Sequence, residues 1–110
     1  MQRLHYTGDT IVMADDTAAA LLEYASALAE GNTSDIVTVP AVDEAGAETT
    51  AELLIGPASQ LYTMPATEVE EVPGDPAVIA ELRLRAAKLR PSRPVTEELS
   101  SFADADADLD

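Results

Sequence analysis

Between Leu4 and Leu82 the chain has no lysine or arginine, against fifteen aspartates and glutamates. No other feature limits the possible folds as much. Any ion pair within this acidic stretch needs a cation from one of its ends. One end offers Arg3. At the other, Arg83 to Arg93 holds five basic residues and no acid. Pro94 to Asp110 then adds six acids and no base. The chain is an acidic body, a short basic segment and an acidic tail, with a net charge of −15. That charge repels nucleic-acid phosphates and anionic lipid, so neither nucleic acid nor a membrane is an expected partner. Low lysine with high alanine, aspartate and glutamate suits a salt-adapted or high-GC proteome. The functional alternative is an acidic face shaped for a basic partner.

At 110 residues the chain has room for one core and a tail. It has no cysteine, which rules out disulfides and cysteine-based zinc sites. Met1 to Asp16 lacks the basic start and apolar centre of a secretory signal. No apolar run approaches the length of a membrane span. The expected location is cytoplasmic.

Thr7-Gly8-Asp9-Thr10 reads as a hairpin turn, with Gly8 at the first central position of a type II′ turn. That register sets Leu4 against Met13, Tyr6 against Ile11 and His5 against Val12. Leu4, Tyr6, Ile11 and Met13 then share an inner face, and Arg3, His5 and Val12 the outer one. A helix follows, started by Asp15 or Asp16 and ended at Gly31 in a left-handed cap. Its stripe is Ala18, Leu21, Ala25 and Leu28, edged by Leu22 and Tyr24, with Ala19, Glu23, Ser26 and Glu30 opposite. Its small side chains allow close seating on a sheet.

Ile36 to Val39 is expected as a strand ending at Pro40, and Thr49 to Ile55 as the next. Gly56-Pro57-Ala58-Ser59 reads as a turn. Gln60 to Met64 then returns, with Leu53 facing Tyr62 and Ala51 facing Met64. Pro65 to Gly74 is a linker or crossing segment. Asp75-Pro76 starts a second helix that Pro91 ends. Ala103 to Asp110 alternates aspartate and alanine, apart from Leu109, and cannot bury enough to order itself.

The expected fold is α+β. A mostly antiparallel sheet carries one packed alanine-rich helix, in the order ββαβββα, with a second helix and a disordered acidic tail. Residues 1-64 form the core domain, 65-74 a linker, 75-91 the C-terminal amphipathic helix and 92-110 the tail. Over Met1 to Met64 the element order resembles that of β-grasp, ubiquitin-like domains. No diagnostic motif accompanies the likeness, so it implies no function.

No constellation of catalytic residues stands out. Ser59 sits in a turn, without a nucleophile elbow or a paired base. The only histidine is His5, expected on the outer face. One histidine without cysteine makes a poor transition-metal set. Asp104, Asp106, Asp108 and Asp110 lack the glycine and the twelfth-position glutamate of a calcium loop. Glu68, Glu70 and Glu71 fall in a linker, which cannot hold two carboxylates at a catalytic separation. No catalytic, cofactor-binding or metal site is expected, and no enzyme activity.

The second helix carries the candidate interaction surface. Ile79, Leu82, Ala86 and Leu89 form its apolar stripe. Arg83 and Arg90 border one edge, Arg85 and Lys88 the other, and Glu81 is placed to pair with Arg85. The helix dipole favours Lys88 and Arg90 near the end but does not explain Arg83. A helix of this length is marginal alone and must dock. Its own body, a second copy and another protein are the candidate surfaces, reached through residues 76-90. The expected function is a non-catalytic protein-interaction or accessory module. The alternative is a small-ligand domain or an enzyme using only carboxylate chemistry, which would need an enclosed pocket lined by several carboxylates.

Overall fold

The computed structural model of the chain describes residues 1–90. The acidic tail expected over 92-110 lies outside the described residues. The elements are β1 (Gln2–Tyr6), β2 (Asp9–Met13), α1 (Asp15–Glu30), β3 (Asp35–Val42), β4 (Glu48–Ile55), β5 (Leu61–Pro65) and α2 (Pro76–Leu89). The fold is α+β in the order ββαβββα, with one five-stranded sheet ordered β4-β3-β2-β1-β5. All four neighbouring pairs are antiparallel, β1 with β5 included. The likeness to β-grasp domains stops at element order.

The first hairpin has the expected faces and a different register. Leu4 pairs with Ile11, Gln2 with Met13 and Tyr6 with Asp9. Thr7 and Gly8 both have positive φ, 50° and 84°. The turn is therefore type I′, with Gly8 second rather than first. Thr7 tolerates this conformation with its hydroxyl bonded to the Tyr6 carbonyl at 2.8 Å. The partner of each residue moves by two positions, an even number, so every side chain keeps its face. Leu4 and Met13 are fully buried.

Helix α1 covers the inner face. Thr33 N–H bonds to the Leu28 carbonyl at 3.1 Å, and Asn32 N–H to that of Ala29 at 3.2 Å. This closes the helix end, and Asn32 (φ 52°) takes the left-handed position expected of Gly31. α1 buries Ala18, Leu21 and Leu28 of the expected stripe and its edge residue Tyr24, leaves Ala25 half-buried and adds Thr17, Ala20 and Ala27. The cause is a second neighbour. α1 lies on the sheet and is flanked by α2, whose Leu82 and Ala86 enter the same core.

Three expectations about the later strands are corrected. β3 runs through Pro40 to Val42. Proline lacks an N–H, but β3 meets β2 at a single pair, Val12 with Val42, so no ladder bond is lost there. β5 does not return to β4. It crosses to the far side and pairs with β1, His5 opposite Tyr62 and Arg3 opposite Met64. Leu53 and Ala51 pair instead with Val37 and Val39. Without β5, the backbone of β1 would have an unpaired edge beside the core. Pro65 to Gly74 is irregular but packed. Ala66 is fully buried, and with Met1, Ala14 and Val42 it forms a second small core that Val69 and Val72 cover.

Candidate interaction surface

Helix α2 starts as its sequence implies, with the Asp75 carboxylate accepting from Ala77 N–H at 3.0 Å and Pro76 in the first turn. Its stripe is docked on the body. Leu82 and Ala86 are 3% and 2% exposed, Ile79 packs against the core and Leu89 stays exposed. The basic rim supplies the cations that the acidic body lacks. Arg83 pairs with Glu23 at 3.4 Å. Arg90 Nε pairs with Glu30 at 2.9 Å, and its Nη2 donates to Ser26 Oγ at 2.7 Å. Arg85 bridges Glu81 at 2.8 Å and Asp35 at 3.0 Å. Lys88 is exposed, and no ion pair forms on it among the described residues. Of the three surfaces open to this helix, the body is the one it occupies. Leu82 and Ala86 face α1 rather than solvent.

Asp35 joins α1, β3 and α2. Tyr24 Oη donates to its Oδ2 at 2.6 Å, and Arg85 Nη1 reaches the same oxygen at 3.0 Å. The Tyr24 hydroxyl, with the nearby Arg85 guanidinium helping, holds the Asp35 carboxyl below its usual range. Burial, and then the neighbouring carboxylate, push the Tyr24 phenol up. The glutamate Glu81 and then Asp35 push the Arg85 guanidinium higher still. Each charged group in the arrangement has a partner of opposite charge.

The opposite face of the sheet is covered only at Val12 and Val42, where the segment from Ala66 to Val72 packs on it; the rest is open. Period-two alternation puts Ile36, Leu54, Tyr62 and Met64 there, and they are 59%, 60%, 56% and 54% exposed. Ile36 and Leu54 are a cross-strand pair. His5 faces outward as expected and stacks on Tyr62, ring centroids 4.3 Å apart and planes within 5° of parallel. Farther along β3 and β4 the same face turns acidic, with Glu52 opposite Thr38 and Glu48 opposite Val42.

Next to the apolar part lies an open cleft of about 830 Å³. Its walls are the β1–β2 turn, Ser34, Leu54, Tyr62 and the loop from Gly56 to Gln60. The loop holds its shape through two bonds of 3.0 Å, Ser59 N–H to the Gly56 carbonyl and Gly56 N–H to Ser59 Oγ. It presses on Ser34 so closely that a Cβ on Gly56 would stand 2.9 Å from the Ser34 Cβ. Tyr6 spans the cleft floor, donating its hydroxyl to the Leu54 carbonyl. Asp9 is the one carboxylate lining the cleft. Glu48, Glu70 and Glu71 line a different groove, where all three are exposed. Among the described residues, no cluster of three or more potential ligands could hold a metal ion. No described helix is long and apolar enough to cross a membrane.

Sequence reasoning missed the outer apolar group. Ile36 and Leu54 carried a signal, since Ile36-Val37 and Leu53-Leu54 put apolar residues at both parities of their strands. Such a run implies either burial on both faces or an apolar outer face. Tyr62 and Met64 carried none, because their face depends on a strand partner that the local sequence does not specify. Comparison with known proteins finds no matching family, no matching curated protein and no matching solved structure.

Proposed function

We propose that the chain is a non-catalytic, intracellular protein-interaction module that works through the open outer face of its sheet. The carrying observation is two exposed apolar pairs on the face away from α1, Ile36 with Leu54 on β3 and β4 and Tyr62 with Met64 on β5, whose Leu54 and Tyr62 line the same cleft. Large apolar side chains grouped on one rigid surface, rimmed by charge, favour a protein partner. Helix α2, by contrast, turns Leu82 and Ala86 of its apolar stripe to α1. The carboxylate-enzyme alternative requires an enclosed acidic pocket. The 830 Å³ cleft has a single carboxylate, and the three glutamates of the other groove stand in solvent.

Site-specific photocrosslinking tests the assignment. A photoreactive residue replaces Leu54, Tyr62, Leu84 or Lys88 one at a time, in the cells that make the protein. Discrete adducts are expected at 54 and 62 and not at 84 or 88. Adducts confined to 84 and 88 would move the interface to the outer side of α2 and end this reading.

A further inference from the structure

β4 is an eight-residue edge strand with one neighbour. Among the described residues, no backbone group outside β3 bonds to it. The direction of its free groups follows from Pro40, which pairs with Thr50. Proline has no N–H to donate, so this pair is of the non-hydrogen-bonded kind, in which backbone groups point away from the partner. By alternation, the N–H and C=O of Glu48, Thr50, Glu52 and Leu54 all point to the open edge. The Leu54 carbonyl agrees, since it accepts from the Tyr6 hydroxyl rather than from β3. That leaves Glu48, Thr50 and Glu52 with free outward groups. Their side chains stand on the face away from α1, Glu48 beside the segment from Val69 to Pro73, and all three residues are exposed.

We propose that this edge takes an extended peptide segment of alternating basic and apolar residues as an added strand. Residues directly opposite across a strand pair approach within roughly 5 Å at Cβ. Partner residues facing Glu48 and Glu52 are therefore lysine or arginine, and those between them face Thr49 and Ala51 and are apolar. Backbone bonds give the affinity and the two glutamates the selectivity. Charge excludes the other occupants. Self-pairing would bring Glu48 and Glu52 of two copies onto one sheet face. The chain's own residues from Pro94 to Asp110 hold six acids and no base. The other edge strand, β5, is shorter, with five residues and a terminal proline, and has no carboxylate to select a basic partner.

The inference rests on the chain being an interaction module and adds the partner's chemistry and binding mode. The probe is the peptide Val-Lys-Val-Thr-Val-Lys-Val, blocked at both ends, added to the full chain. Amide exchange and chemical shifts are followed by NMR. Binding with slowed exchange at Glu48, Thr50 and Glu52 is expected, weakening as salt rises. The same peptide with glutamate for lysine should not bind. Thr50→Pro deletes one outward N–H without touching a β3 bond and should weaken binding about tenfold, the factor set by one such hydrogen bond. The double variant Glu48→Lys with Glu52→Lys should reverse the preference to the acidic peptide, which keeps the test decisive if Thr50→Pro does not fold. No binding, or binding that shifts Tyr62 and Met64 without protecting the three amides, overturns strand addition. Either outcome leaves the module reading to stand or fall on adducts at 54 and 62.

Discussion

At the scale of single residues, three positions carry measurable consequences. Asp35 ties three elements through Tyr24 and Arg85. Its proton affinity is lowered in the fold, so its stabilising effect is present above the ordinary carboxylate range and is lost as the pH falls through its folded value. Tyr24 has the opposite sign, its contribution fading as the pH rises past about 10. Asp35→Asn should cost about 1 kcal/mol at pH 7, given a charge-assisted bond in a half-exposed site. The gap from the parent chain should begin to narrow as the pH falls below about 4, as urea unfolding at pH 7 and pH 3 would show. A gap of equal size at both would remove the ionised carboxylate from the account. Thr7 is the second position. It holds a left-handed conformation that costs a β-branched residue about 1 kcal/mol. Thr7→Asn should recover most of that and raise the melting temperature, asparagine-glycine being the preferred type I′ pair. The third is Thr17, whose buried hydroxyl finds no hydrogen-bond partner among the described residues. Thr17→Val should be stabilising by about 1 kcal/mol. A fall in melting temperature would show that the hydroxyl is engaged.

At the scale of elements, the association of α1 with α2 combines apolar burial with charge. Burial dominates, because each of the rim pairs is substantially exposed and worth about 0.5 kcal/mol. Leu82→Ala removes a nearly fully buried side chain and should cost about 3 kcal/mol. Arg83→Ala and Arg90→Ala should each cost about 0.5 kcal/mol and lose even that in high salt. Chemical denaturation of the three variants checks the ranking. Arginine variants as damaging as Leu82→Ala would reverse it. The helix is bound to this place by composition as well as shape, since α1 supplies Glu23, Glu30 and Ser26 in the row that Arg83 and Arg90 reach.

At the scale of the whole molecule, charge opposes compaction. Four arginines are paired, yet Asp9, Asp43, Glu44, Glu48, Glu52, Glu70 and Glu71 have no cation partner among the described residues. Several cluster where β4 begins and where the Pro65 to Gly74 segment passes. Raising salt from about 0.01 to 0.15 M shortens the screening length from roughly 30 to 8 Å. The melting temperature should therefore rise, because repulsion among unpaired acids outweighs the weakened rim pairs. A flat or falling curve would mean that the arginine pairs, not the repulsion, set the balance.

The sequence alone determined what depends on short spacings. Element types follow from period and caps: the alanine-rich stripe of α1, the Asp75-Pro76 start of α2, the Gly56 to Ser59 turn. The inward face of Leu4 and Met13 survived a wrong turn type, because a shift of two positions leaves the alternation intact. The acidic stretch marked α2 as its main source of cations but left open whether the helix docks on its own body, a second copy or another protein. What the tertiary structure decided was the choice of distant partners. Nothing local in Leu61 to Pro65 distinguishes pairing with β4 from pairing with β1. That choice rests on which edge would otherwise leave its backbone groups unpaired beside the core. It alone placed Tyr62 on His5 and Met64 beside Arg3, kept the β4 edge open, and so assembled the open outer face from strands far apart in the chain.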